Sequence, residues 1–378
     1  MNGLDATAAT ALMRLRDLVE LESPSGDVSR LKVLADALAR RWRELGLEVT
    51  TVPGPAGDHL VGEWVVPGST SHVLVLTHYD TVWPVGELER QPFEVTGDAV
   101  RGPGVLDMKA GIVALELALE RVRASGRAPA VGVRIVAVAD EEVSSVDGRR
   151  VIEDQCAGAI AVLGLEPSHP DGALKNARRG VARVAVRLSG RAAHAGLAAE
   201  QGVSAIDELV DVLVALRRDF PRTADASLNV GRISGGTRAN VVAAEAEAEV
   251  GLRFATPETE RALLELFEDL RATREGAVVT AEILSHRPAW PERPDERLTR
   301  LVLDTAARLG QSLTARPAGG AGDANFTGAR GIPTVDGLGP RGDGAHAVGE
   351  WVSLSSLLDR SALLAELLAG PEIGATSP

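Results

Sequence analysis

The stretch Val73-Leu-Val-Leu-Thr-His-Tyr-Asp-Thr-Val82 decides the fold. An unbroken apolar run, bounded by polar residues and too short for a helix, reads as a strand buried on both faces. It discharges into His78 and Asp80 at the end of a buried strand, where ligand sites of α/β sheets concentrate, although His-x-Asp alone reads equally as a structural hydrogen-bonded pair. Two further runs have the same design. Val131–Val138 flows into Asp140-Glu141-Glu142, and Ala159–Gly164 flows into Leu165-Glu166-Pro167. Between and before these strands the period changes to that of helices. Leu12, Leu15, Leu18 and Val19 share one face between Asp5 and Glu22; Leu31, Leu34, Leu38 and Trp42 do so between Asp27 and Leu45, with Gly46 as the stop. Met108–Ala124 reads as a third helix, and Leu47–Val52 and His59–Val66 as further strands. Strands alternating with helices predict an α/β fold, a mostly parallel mixed sheet flanked by helices.

Near Arg178-Arg179-Gly180 the pattern changes. Strands are expected at Val181–Leu188, Ser227–Ile233, Val241–Phe254 and Ala277–Leu284, with helices at Val203–Arg217 and Pro257–Arg274. That is a β-α-β-β-α-β unit, an α+β domain of the ferredoxin-like kind, spanning residues 179–287. Glu245, Glu247 and Glu249 alternate with alanine on one strand and read as its wet face rather than as ligands. After Pro288 the α/β pattern resumes, with helices at Leu298–Leu309 and Ser353–Leu368. The smaller domain is thus inserted into a discontinuous one made of residues 1–178 and 288–378.

Composition narrows the function. The 378 residues carry 40 Lys+Arg against 53 Asp+Glu, a net charge of -13 without a basic stripe, which argues against nucleic acid as partner. One cysteine, Cys156, excludes an internal disulfide and a cysteine-based zinc cluster, and reads as packing rather than as a nucleophile. No apolar run approaches the ~18 residues of a membrane span. The opening segment has acids among its apolar residues and lacks the pattern of a secretory signal, so a cytoplasmic protein is expected.

His78, Asp107 and the acids at the strand ends are then the residues with chemistry to explain. Asp107, in Gly102-Pro-Gly-Val-Leu-Asp-Met-Lys-Ala-Gly111, stands where a helix N-cap would, but an N-cap does not explain the glycines on both sides. Three adjacent acids at the mouth of a central strand repel one another unless cations neutralise them. His, Asp and Glu without Cys suit Zn²⁺, Mn²⁺ or Co²⁺, and this many acids suggests two ions. His346, in the late Gly-rich loop Gly337–His346, offers a second imidazole.

In this order, THYDTV, GPGVLDMKAG, DEE, LEP, GRAAHAG and GDGAH resemble the dizinc peptidase superfamily of glutamate carboxypeptidases, aminoacylases and succinyl-diaminopimelate desuccinylase. The resemblance covers nearly the whole chain and is closest to the bacterial glutamate carboxypeptidases, the trailing VGEWVSLSSL included. It implies two Zn²⁺ ions, replaceable by Co²⁺ or Mn²⁺. Asp107 would bridge them, His78 and Glu166 would complete one site, and Glu142 and His346 the other. Hydroxide between the ions would attack the amide, with Glu141 as general base and Asp80 as the carboxylate behind His78. The inserted domain would be a lid and a dimerisation domain. Its His194 would donate to the oxyanion from the partner subunit, while Asn240, Arg253 and Arg287 would grip the substrate carboxylate. Release of a C-terminal amino acid is the expected reaction. An aminoacylase-like or biosynthetic N-acyl amide hydrolase is the alternative, and an inactive metal-binding homologue a more distant one. N-carbamoyl hydrolysis is disfavoured by Glu166, where that branch tends to use histidine. Ala321 and Gly322 stand where the family usually has Gly-Thr, and Arg341 and Asp343 add charge before His346, so the preferred side chain stays open.

Overall fold

A computed structural model of the chain describes residues 5–221, 223–293 and 296–375. The outermost residues of the expected discontinuous domain, 1–4 and 376–378, and 294–295 within it lie outside the described residues. The described residues divide into two compact units: those within 5–177, 292–318 and 322–375 form one, and those within 178–291 and 319–321 the other.

In chain order, α1 (Ala6–Glu20) and α2 (Val28–Glu44) start on Asp5 and Asp27, whose carboxylates accept from the Ala8 and Arg30 amides. Then follow β1 (Glu48–Val52), β2 (His59–Trp64), β3 (His72–His78), α3 (Ala110–Ala124), β4 (Gly132–Val138) and β5 (Ala159–Gly164). The second unit supplies β6 (Gly180–Ser189), α4 (Ala205–Asp219), β7 (Ala226–Gly235), β8 (Glu245–Phe254), α5 (Pro257–Glu268) and β9 (Val278–Arg287). The first unit resumes with α6 (Arg297–Arg308), β10 (Thr334–Val335) and α7 (Leu354–Ala369).

The sheet of the first unit runs β1-β2-β4-β3-β5-β10. β1/β2 and β2/β4 pair antiparallel, while β4/β3, β3/β5 and β5/β10 are parallel. β3 is central and buried throughout. Val73 and Val75 pack into the core shared with α1, α2, α3 and α7; Leu74 and Leu76 pack on the other face with Val151, Ile152 and Phe326. Register decides where the polar residues emerge. His78 lies opposite Val138, and Leu76 opposite Gly164, so β3, β4 and β5 end together and the residues that follow them leave from one edge of the sheet.

Inside this core, α3 carries one buried acid, Glu116. Burial pushes its pKa up to about 7 from 4.5, against the opposing pull of the Arg41 and Arg14 guanidiniums; Arg41 Nε stands 3.8 Å away. A carboxyl whose folded pKa is raised stabilises the fold fully only below the unfolded pKa, and that contribution is lost as pH rises through about 7. Glu116→Gln, neutral at every pH, should therefore gain about 2 kcal/mol on the wild type between pH 5.5 and 8.5 in denaturant unfolding. A difference that stays flat across that range would refute the assignment.

The second unit has an antiparallel sheet in the order β7-β8-β6-β9, the β-α-β-β-α-β connection expected. Val184, Val186, Val250 and Leu252 pack with Leu209 and Val212 of α4 and Leu263 of α5. The opposite face is charged: Arg187 pairs with Glu247 and Glu282, and Glu249 with Arg183 and Arg232. The alternating glutamates are a solvated face.

Three details depart from the expected pattern. β8 begins at Glu245 rather than Val241, because residues 241–243 turn aside to pair with His194 and to cap α4 through the Ala243 carbonyl. α5 stops at Glu268 rather than Arg274, because buried Glu208 of α4 captures the Thr273 and Arg274 amides. The junction also differs. Arg178 and Trp290 exchange backbone hydrogen bonds of 2.9 and 3.1 Å, and Arg178 Nη1 donates to the Gly320 carbonyl, which draws residues 288–291 and 319–321 into the second unit.

Candidate metal centre

Asp107 sits in an irregular turn between Gly104 and α3. Gly104 has φ +71°, and a Cβ there would meet Thr81 Cγ2 at 2.7 Å, so only glycine makes this turn. Asp107 does not cap the helix, which starts at Ala110. Its two oxygens face two imidazoles instead: Oδ1 is 3.1 Å from His78 Nε2, and Oδ2 is 3.3 Å from His346 Nε2.

Two groups of candidate ligands share this carboxylate. The ligand atoms of His78, Asp107 and Glu166 lie within 4.8 Å of one another, and so do those of Asp107, Glu142 and His346. His78 Nε2 is 3.5 Å from Glu166 Oε1, and His346 Nε2 is 3.0 Å from Glu142 Oε2. His78 is buried, whereas His346 is about half exposed and holds φ +62°. Glu141 is buried next to Glu142 but belongs to neither group.

Hydrogen bonding tests whether these donors suit a cation. His78 Nδ1 lies 3.0 Å from the Asp80 carbonyl and 3.4 Å from its carboxylate, both acceptors, so Nδ1 carries the proton. A neutral ring then turns its Nε2 lone pair on two carboxylates, an arrangement that repels unless positive charge lies between. The titration directions express that demand. Burial disfavours the charged His78 ring, yet Asp107, Asp80 and Glu166 raise its pKa well above the ordinary value. Hydrogen bonds to Asp107 and Glu142 push His346 up to about 10. The carboxylates thus favour positive charge at both imidazoles, and two imidazoles with three carboxylates fit divalent ions.

Asp80 also does more than stand behind His78. Its buried carboxylate accepts from the Glu141 and Glu142 amides at 3.1 and 3.2 Å and from Ser25 Oγ at 2.7 Å. It thereby fixes the segment that carries both glutamates. Ser25, 55 residues away in sequence, escapes sequence reasoning because nothing local marks it.

The second unit holds the other four candidates. His194 Nδ1 accepts from the Gly196 amide at 3.1 Å, which leaves Nε2–H as an exposed donor. Asn240 is its neighbour, its carbonyl accepting from the Ala195 amide at 3.0 Å. Arg253 and Arg287 flank Val181 from either side and share a face of the sheet, Arg253 exposed and Arg287 buried. The pairs are not together. His194 and Asn240 lie beyond the Glu245 end of β8, and Arg253 lies at the other end, roughly 25 Å away at the rise of an extended chain.

The α/β unit thus gathers two imidazoles and three carboxylates that could hold metal ions at one sheet edge. The family model for Peptidase family M20/M25/M40 matches residues 74–370, and the chain belongs to that family. It is 28% identical over 363 residues to carboxypeptidase G2 of Pseudomonas sp. (strain RS-16), covering 94% of this chain and 87% of that protein. It is 29% identical over 347 residues to succinyl-diaminopimelate desuccinylase of Alkalilimnicola ehrlichii, covering 85% and 88%. Its fold matches the crystal structure of a tripeptidase from Staphylococcus aureus with a TM-score of 0.77 at 21% identity, over 97% of this chain and 99% of that one. These relatives support hydrolysis of amide bonds by a metallo-hydrolase. Among the described residues no helix is long and apolar enough to cross a membrane.

Proposed function

We propose that the chain cleaves an amide or peptide bond to release a C-terminal amino acid, as a carboxypeptidase acting in the cytoplasm. The observation that carries the reading is the pair of ligand groups sharing Asp107, with buried Glu141 beside them and outside both. His78, Asp107 and Glu166 would hold one Zn²⁺, and Asp107, Glu142 and His346 a second, with Co²⁺ or Mn²⁺ as substitutes. When bound, such ions supply Lewis acidity to the scissile carbonyl and lower the pKa of water. The residues do the rest. Asp80 holds the His78 tautomer and the Glu141 backbone; Glu141 takes the proton of the attacking water and passes it to the leaving amine. His194 offers its Nε2–H to the carbonyl oxygen as negative charge grows there. Arg253 and Arg287 carry the planar forks that suit a substrate carboxylate, with Asn240 as a further donor.

The test is a panel of N-acyl and peptidyl amino acids offered to zinc-loaded protein, with the released amino acid measured. Cleavage of peptidyl substrates at the C-terminal residue is expected. Cleavage of N-acyl substrates alone would support the second reading, an N-acyl amide hydrolase, which the likeness to the desuccinylase favours. Metal binding without any cleavage would leave only an inactive homologue.

The same reading includes a homodimer through the second unit. Ile206, Val210 and Val214 form an exposed stripe on α4, and β7 is an edge strand; both suit a second copy. His194 would serve the partner's site, as the resemblance implies. Mixing inactive His194→Ala and Glu141→Gln subunits should then restore activity toward half per mixed dimer, because one site escapes both changes. A mixture that stays dead, with subunit exchange shown, would put His194 in its own subunit's site.

A further inference from the structure

The segment after His346 carries an acid that the reaction does not use. Glu350 is 1% exposed, and its carboxylate accepts four hydrogen bonds. Oε1 takes the Leu106 and Asp107 amides at 2.8 and 3.0 Å. Oε2 takes the Gly104 amide and the Trp83 indole Nε1–H, both at 2.8 Å. These donors come from the turn that carries Asp107 and from the segment that follows His78, while Glu350 itself stands four residues after His346. One carboxylate therefore ties together three of the segments that present ligands.

Two features show why such a tie is needed. Successive amides of the Asp107 turn point the same way and find no partner in a helix or strand; without an acceptor they would be buried and unmet. His346 also holds a left-handed backbone, which a residue with a Cβ keeps only where its surroundings impose it. The Ala347 amide closes on the Gly344 carbonyl and the Glu350 amide on the Ala347 carbonyl, so the segment from Gly344 to Glu350 is one folded piece anchored at Glu350.

We propose that Glu350 is a positioning residue of the metal centre, setting the Asp107 turn against the His346 segment so that the two ligand groups form together. The inference rests on the metal-centre reading of the site. Glutamine in its place presents an NH₂ to amides that need an acceptor, so one edge of the turn loses its partner. Removing a partner behind a metal ligand typically costs ~10–100-fold in affinity or activity.

Wild type, Glu350→Gln and Trp83→Phe would be compared as metal-free proteins by thermal melting, and then by Co²⁺ titration followed through the visible absorption of the bound ion. Glu350→Gln is expected to bind Co²⁺ at least ~10-fold more weakly, with a changed spectrum, and after Zn²⁺ loading to lose kcat with little change in KM. Trp83→Phe removes one of the four bonds and should show the same changes to a smaller degree; it answers the question even if Glu350→Gln does not fold. Co²⁺ affinity and spectrum identical to wild type in a folded variant would overturn the proposal while leaving the metal centre standing. Wild-type protein that takes up no Co²⁺ would overturn the metal-centre reading itself.

Discussion

Glu141→Gln is expected to keep the metal content of the wild type and to lose at least ~100-fold in kcat. The amide is nearly isosteric with the carboxylate, so the segment held by Asp80 through the Glu141 and Glu142 amides should not move. What disappears is the capacity to accept a proton at neutral pH, and with it the delivery of that proton to the leaving amine. Metal analysis after dialysis, followed by kcat on the best substrate of the panel, checks both halves. Unchanged kcat in a metal-replete variant would place the base elsewhere. Glu142→Gln gives the contrast. Its carboxylate belongs to a ligand group, so that variant should lose one ion and regain part of its activity in excess zinc.

The second large effect is expected at Asp107. Each of its oxygens faces a different imidazole, so this one side chain belongs to both ligand groups. Asp107→Ala should therefore empty both sites at once and reduce turnover by at least ~1,000-fold, more than the ~10–100-fold that follows loss of a partner behind a ligand. Glu166→Gln, which touches one group only, should leave one ion bound. Retention of a tightly bound pair of ions in Asp107→Ala would refute the shared carboxylate and the division of ligands built on it.

Much of this is legible in the sequence by itself. The runs ending in His78, Glu141-Glu142 and Glu166 are continuous apolar segments of strand length, and a segment's burial is written in its own composition. The helices of the first unit and the β-α-β-β-α-β order of the second are likewise local periodicities. The motifs GPGVLDMKAG and GDGAH pointed to Asp107 and His346 through their spacing and resemblance.

Tertiary structure shows how Asp107 is placed. By residue type it could cap a helix or bind a metal, and its flanking glycines and the resemblance favour the metal; the turn at Gly104, too tight for a Cβ, carries its carboxylate away from the start of α3 and between the two imidazoles. It decided that Asp80 also holds the Glu141–Glu142 backbone, that Glu350 gathers the Asp107 turn, and that Arg178 and Trp290 close the second unit. It also set His194 and Asn240 at one end of β8 and Arg253 at the other, a separation invisible in four isolated motifs. The reason is the range of the interactions. A residue's tendency to be buried or helical depends on neighbours a few positions away, and so can be read along the chain. The contact of His346 with Glu142 spans 204 positions and that of Glu350 with Asp107 spans 243, and such contacts exist only once strand register and loop closure have brought distant segments to one edge of a sheet.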